Sequence, residues 1–214
     1  MTDNQKKAAL AIVVLILCAV GFYFLYWVRT PAYSIHIIEK SIKRHDVVTF
    51  EKHVDMDCLY SKAFDDIIIV SGKLDADPIL ENPFAIGFLQ MLKPTVVSTM
   101  KYETIEYVKG EKGDDAQNSQ QTEDVLRGMK DQTDVDNAVL KKISVERKEG
   151  NQAIVVLKLY NRKLKKNFDL KLKMTKLDDG KWQIKEITNL VEFILAVHKA
   201  EVEDLRGDIR RRVK

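Results

Sequence analysis

The sequence has little of what staples a fold or holds a metal. It contains two cysteines, Cys18 and Cys58. Cys18 lies within an apolar run, so Cys58 has no partner in the rest of the chain and a disulfide framework is excluded by arithmetic. An extracytoplasmic location permits disulfides but does not require them. A single thiol packs as a small hydrophobe; an intermolecular bridge is its alternative use. The four histidines, His36, His45, His53 and His198, form no ligand set with metal-site spacing. The nine glycines build no phosphate loop, and no serine stands in a G-x-S-x-G elbow. Charge of one sign is also scarce. The formal net charge is +3 with 31% of residues charged, less lopsided than a uniformly basic nucleic-acid binder. No cofactor and no metal are expected. A catalytic dyad built from remote parts of the chain stays open, because such partners meet in space.

What is present first is a long apolar run. Residues 8–28 carry no charge and are dominated by Ile, Val, Leu, Phe and Ala. That is the length needed to cross ~30 Å of hydrocarbon in a helix rising about 1.5 Å per residue. Tyr23, Tyr26 and Trp27 gather at its C-terminal end, where amphipathic rings favour the headgroup layer. A cleaved signal peptide would want a shorter apolar core and a small-x-small exit. Ala19-Val20-Gly21 supplies such an exit, but Phe22 to Val28 would remain as a greasy N-terminus. A lipoprotein signal would want a small residue before Cys18, where Leu17 stands. Length favours an uncleaved transmembrane helix, with the lipid bilayer as the partner of residues 8–28 and residues 1–7 as a short cytoplasmic tail. Lys6 and Lys7 argue for an inside N-terminus, whereas Arg29, Lys40, Lys43 and Arg44 lie just beyond the span. The short N-terminal tail, with its charges beside the span, favours N-in and an extracytoplasmic domain.

The remainder suits one domain of ordinary size. Thr30-Pro31 has the chemistry of a helix start, an N-cap followed by proline at the first helical position. Ile35, Ile38 and Ile42 then recur at helical spacing. Asp46 is expected to cap a short helix holding Val47, Phe50 and Val54, and Asp57 to start a third with Leu59, Phe64 and Ile67 buried. Three prolines between Asp75 and Pro94 predict repeated turns. The apolar stretch Phe84 to Leu92 is too short to span a membrane and predicts a core helix; a groove-lining or membrane-lying helix is the sharper option. Helical spacing continues through Val97, Met100, Ile105 and Val108, closing a helical part over residues 30–109. Residues 110–124 are hydrophilic and predict an exposed loop.

The last third changes period. Phe168, Leu170, Leu172 and Met174 alternate with Asp169, Lys171, Lys173 and Thr175, a half-buried strand. Ile143 and Val145 mark an earlier strand, Ile154 to Tyr160 a buried one, and Trp182 with Ile184 a fourth. Glu149-Gly150-Asn151 and Asp178-Asp179-Gly180 carry turn chemistry, so an antiparallel four-stranded sheet is expected over residues 138–189. A helix follows over residues 190–214, with Ile194, Val197, Leu205 and Ile209 on one side and a basic end at Arg210, Arg211, Arg212 and Lys214. Helices followed by an antiparallel meander make an α+β fold.

This order resembles the cystatin-like superfamily that includes nuclear transport factor two, where a curved sheet wraps a long helix and often leaves a conical pocket. More narrowly, the chain from Pro31 to Leu190 resembles a bacterial family of membrane-tethered proteins built on the domain of unknown function 2939. The matching features are Pro31-Ala32-Tyr33-Ser34, Arg44-His45-Asp46, Val54-Asp55, Asn82-Pro83-Phe84, Asp179-Gly180-Lys181-Trp182 and Ile184 to Ile187. These are capping and packing motifs, and the resemblance carries over no catalytic residue.

Three sets of residues carry candidate chemistry. His53 and Asp57 stand four apart and would share a face of a continuous helix, where they could begin a metal site or act as acid and base. Two ligands do not make a site, and a helix break near Asp55 to Asp57 is expected instead. Glu186 continues the parity of Trp182 and Ile184, so strict alternation would aim it at the core side, where a desolvated acid could serve as a base. The apolar Ile187 points to a bulge that resets the register and sends Glu186 outward, since a buried carboxylate without a partner is costly. Finally, Lys158, Lys171, Lys173 and Lys185 on strands and Arg162, Lys163, Lys165 and Lys166 in the hairpin connection form a basic patch if the polar strand faces align. Such a patch suits anionic lipid headgroups or an anionic envelope polymer; a solvated sheet face with lysines guarding its edges is the ordinary alternative. Nucleic acid is disfavoured because Tyr160 is the only nearby aromatic for stacking. Arg206-Gly207-Asp208 lies in a helical pattern and is attributed to chance. The function expected is a non-enzymatic, membrane-anchored binding or interaction domain, whose partner is an envelope component, a small apolar ligand or another protein. The alternative is a hydrolase or isomerase working in a cystatin-like pocket.

Overall fold

The computed structural model describes residues 3–74, 83–110 and 138–212. Among these residues six helices and four strands follow one another: α1 (Asp3–Val28), α2 (Pro31–Lys43), α3 (Val47–His53), α4 (Met56–Leu74), α5 (Pro83–Lys109), β1 (Ala138–Glu149), β2 (Gln152–Asn161), β3 (Lys166–Lys176), β4 (Trp182–Ile187) and α6 (Leu190–Arg212). The expected α+β order is therefore what the chain adopts. Within α1, none of the residues Ala11–Val28 is buried against the rest of the protein, and this helix is long and apolar enough to cross a membrane. Only Arg29 and Thr30 separate it from α2.

The helix starts follow their capping chemistry. Thr30 Oγ1 accepts from the Tyr33 N–H at 3.2 Å, with Pro31 opening α2. Asp46 Oδ1 accepts from the Thr49 N–H at 3.0 Å and starts α3. The third start differs from expectation: Asp55, not Asp57, accepts from the Cys58 N–H at 3.0 Å, so α4 begins at Met56. Val54 falls outside α3. It is extended, forms a parallel bridge with Ile184, and is 6% exposed. The turns expected up to Pro94 are corrected in part. Residues 75–82 lie outside the described residues, but from Pro83 the chain is helical straight through Pro94. An interior proline removes one helical hydrogen bond and normally costs about 3 kcal/mol. Here Leu89, Leu92 and Val96 on one side of α5 pack against α4, and that burial outweighs the local preference. Of the expected loop over residues 110–124, only Gly110 is described, in left-handed backbone with φ +79.

The sheet is an antiparallel meander in the order β1-β2-β3-β4. Gly150 (φ +53) makes the β1–β2 turn and Gly180 (φ +83) the β3–β4 turn, both conformations that glycine alone adopts without strain. On the inner face Val155, Met174 and Trp182 are each 0% exposed, and they pack with Ile35 of α2, Phe50 of α3 and Val108 of α5. A second cluster joins Phe64, Ile67 and Val70 of α4 to Val96 of α5 and Ile194 of α6. Strand β2, expected to be buried throughout, is buried on one side only: Ile154, Val156 and Lys158 lie on the open face. In α6, Ile194 and Val197 face the core, but Leu205 is 63% exposed, because the helix has by then run past the sheet.

Strand β4 stops after six residues, well before β3 does. Asn189 completes the β3 edge in its place. Its Oδ1 accepts from the Lys171 N–H at 2.8 Å and its Nδ2 donates to the Asp169 carbonyl at 2.9 Å, as a paired strand residue would. Its own carbonyl accepts from the Phe193 N–H at 2.9 Å, so one residue ends the sheet and begins α6.

Candidate functional site

Trp182 is the point where α1, the helices and the sheet meet. Its ring is fully buried; its Nε1–H donates to the Arg29 carbonyl at 2.9 Å, and its backbone N–H donates to Ser34 Oγ at 3.3 Å. Its carbonyl accepts from His53 Nδ1–H at 3.0 Å, and the Lys148 ammonium lies 5.6 Å from its ring centroid. The β3–β4 turn lies against the same junction, since a Cβ at Gly180 would come within 3.8 Å of Arg29 Nε. One end of the sheet, carrying the β1–β2 and β3–β4 turns, is thereby tied to the end of α1. The β2–β3 connection is at the other end, roughly 30 Å away along a ten-residue strand rising about 3.3 Å per residue.

His53 and Asp57 do not come together. The chain leaves α3 at Val54 and re-enters helix at Met56, which separates their faces. His53 is 5% exposed and committed to Trp182, whereas Asp57 is exposed and bonded to Lys101 Nζ at 2.8 Å. Among the described residues no three His, Cys, Asp or Glu side chains are placed to share a metal ion. Burial holds the His53 imidazole below its ordinary value, aided by the nearby Lys181 charge and opposed by the hydrogen bond to Trp182. A base whose folded value lies below its unfolded value gives stability that is intact above about pH 6.5 and lost as pH falls through the folded value. Urea titrations at several pH values should therefore show wild type losing stability below about pH 6.5, by at most about 1.4 kcal/mol per pH unit, relative to His53→Gln. The Asp55 carboxyl is pushed up by burial but held below its usual range by Lys185 Nζ at 2.6 Å and the Cys58 N–H. Its contribution is lost only near and below about pH 4, so the two windows separate.

Glu186 lies on the bulge. Lys173 pairs with Glu186 but Met174 pairs with Ile184, leaving Lys185 as the extra residue. The carboxylate is turned outward to the Lys62 ammonium, with Lys173 Nζ at 3.9 Å, while Ile187 returns to the core side. Among the described residues, the inner face is filled by Trp182, Met174 and Val155. The open face carries a depression of about 270 Å³ between Arg147, Ile154, Lys173 and Thr188. Arg147 is already bonded to Glu149 at 2.6 Å.

The eight cations expected to form one patch are divided. Lys171 pairs with Glu146 at 2.9 Å, Lys173 with Glu186 and Lys185 with Asp55. In the β2–β3 connection Lys163 lies 3.8 Å from Glu201 and Lys166 lies 2.9 Å from Glu203, both on α6. Lys158, Arg162 and Lys165 are exposed and make no ion pair among the described residues. The acids that meet these lysines come from β1, β4, the α3–α4 link and α6, which the alternation along the lysine strands does not reveal. The Trp182–Arg29 contact was missed outright, since its partners are 153 residues apart.

Comparisons with family models, with curated proteins and with solved structures gave no match.

Proposed function

We propose that this protein is a non-enzymatic interaction domain anchored in a bacterial membrane by α1 and held on the extracytoplasmic side. The observation that carries the proposal is an apolar helix of membrane-crossing length with no residue of Ala11–Val28 buried, joined to the domain by two residues. An apolar surface of that extent is not left in water by a soluble protein. The tethered family that the sequence resembles supports the same view. The absence of catalysis is supported by the use of each candidate group: His53 is bonded to a carbonyl, Asp57 and Glu186 are paired with lysines, and the helix-covered face of the sheet is packed. With the N-terminus inside, Lys6 and Lys7 stay cytoplasmic.

The full chain is expected to remain in the membrane pellet after alkaline carbonate washing, and a chain lacking residues 1–28 to appear in the soluble fraction. Protease added to intact cells is expected to digest the domain of the full chain. Carbonate release of the full chain would remove the anchor, and protection of the domain until lysis would reverse the orientation.

A further inference from the structure

We infer that the far end of the sheet is a docking surface for a linear polyanion lying away from the anchoring bilayer, an inference that rests on the anchored reading above. A cluster of exposed cations that have no acidic partner among the described residues carries it. Near the α1 end Arg147 is matched with Glu149, Lys185 with Asp55 and Lys181 with Asp179, and mid-sheet Lys171 is matched with Glu146, while Lys148 lies over the Trp182 ring and Lys176 makes no ion pair among the described residues. Toward the other end, Lys142, Lys158, Arg162 and Lys165 are exposed without an ion pair among the described residues. Lys141 joins them, its ammonium 5.2 Å from the Tyr160 ring centroid.

Lys142 and Lys158 stand directly opposite each other on β1 and β2. Like charges in that position weaken a sheet, so the pair gives the fold nothing. It does concentrate positive potential at a spacing that successive charges of a polymer can bridge. Lys165, in left-handed backbone at φ +53, and Arg162 extend the row around the connection. Among the described residues, the acids beside the row are Asp169, opposite Lys158, and Glu201 and Glu203, which meet Lys163 and Lys166. Asp134 and Asp136 precede β1 in the sequence and lie outside the described residues, so the test uses the full chain.

A polymer fits better than a lipid surface on two grounds. Leu164, the large apolar residue of the connection, is 8% exposed and packed with Val197 and Ala200, so the hairpin offers no wedge to insert among acyl chains. The row also lies roughly 20–30 Å along the strands from the α1 end of the sheet, more than two screening lengths of about 8 Å at physiological salt.

The test is binding of the full chain, in nanodiscs of zwitterionic lipid, to long-chain inorganic polyphosphate. Wild type is expected to bind with an affinity that falls on the order of 50-fold between about 50 and 200 mM salt, as for four neutralised charges. The variant Lys142→Gln, Lys158→Gln, Arg162→Gln, Lys165→Gln should lose that binding. A control with Lys40, Arg44, Lys52 and Lys73 each changed to Gln, on the helical side, should keep it. Matching thermal midpoints and continued membrane retention of both variants separate a failure here from a failure of folding or of the anchor. Equal loss in both variants, no binding by wild type, or capture by phosphatidylglycerol vesicles but not by polyphosphate would each overturn the inference.

Discussion

Replacing Trp182 with alanine should remove about 3–5 kcal/mol of stability, a large part of the roughly 5–15 kcal/mol that holds a domain together. The residue is 0% exposed at the centre of the main core cluster, so truncation leaves a cavity bounded by α2, α3 and the sheet. It also deletes the donor to Arg29. Urea unfolding of the full chain in detergent, followed by far-ultraviolet circular dichroism, gives the number. Trp182→Phe keeps most of the apolar volume and loses the indole N–H, which predicts a smaller cost of about 1–2 kcal/mol. If the alanine variant unfolds within about 1 kcal/mol of wild type, the view of Trp182 as the core's central member is wrong.

Asn189→Ala is the second large effect, at about 1–3 kcal/mol, because it leaves the part-buried Lys171 N–H without its acceptor and the Asp169 carbonyl without its donor. Asn189→Asp sharpens the test. A carboxylate can still accept from Lys171 but cannot donate to Asp169, so it should recover only part of the loss. Hydrogen exchange should show the Lys171 amide opening faster in the alanine variant while amides of β2 keep their protection. Equal acceleration across β2 and β3 would mean that Asn189 acts only through global stability.

The order of elements was legible because it depends on local periodicity: helical spacing from Ile35 to Val108, then strict alternation from Phe168 to Met174. The bulge at Lys185 was also legible, since Ile187 could return to the core only if the register shifted. What misled was local chemistry overridden at a distance. Pro94 has the character of a helix end, yet α5 runs through it because Leu89, Leu92 and Val96 are buried against α4. Asp55 and Asp57 offer the same capping chemistry two residues apart. The choice between them follows from the bridge of Val54 to Ile184 and the Asp55 N–H donating to the Ile184 carbonyl at 2.9 Å. The lysine patch failed as a unit for a related reason. A net charge of +3 gives no hint of which lysines find acids across the fold, as Lys171 finds Glu146 and Lys166 finds Glu203, and which, like Lys142 and Lys158, find none among the described residues.

The two-residue link between α1 and α2 has a mechanical consequence. Two extended residues span at most about 7 Å, and the Trp182 bond to Arg29 removes part of even that slack. Proteins on long polar stalks sweep a volume many times their own and meet partners at any height within it. This domain has no such stalk. On the anchored reading proposed above, the domain is held close to the bilayer and samples only the layer within its own length of it. Inserting a glycine-serine stretch between Arg29 and Thr30 would change the layer it samples without altering any residue that does the touching.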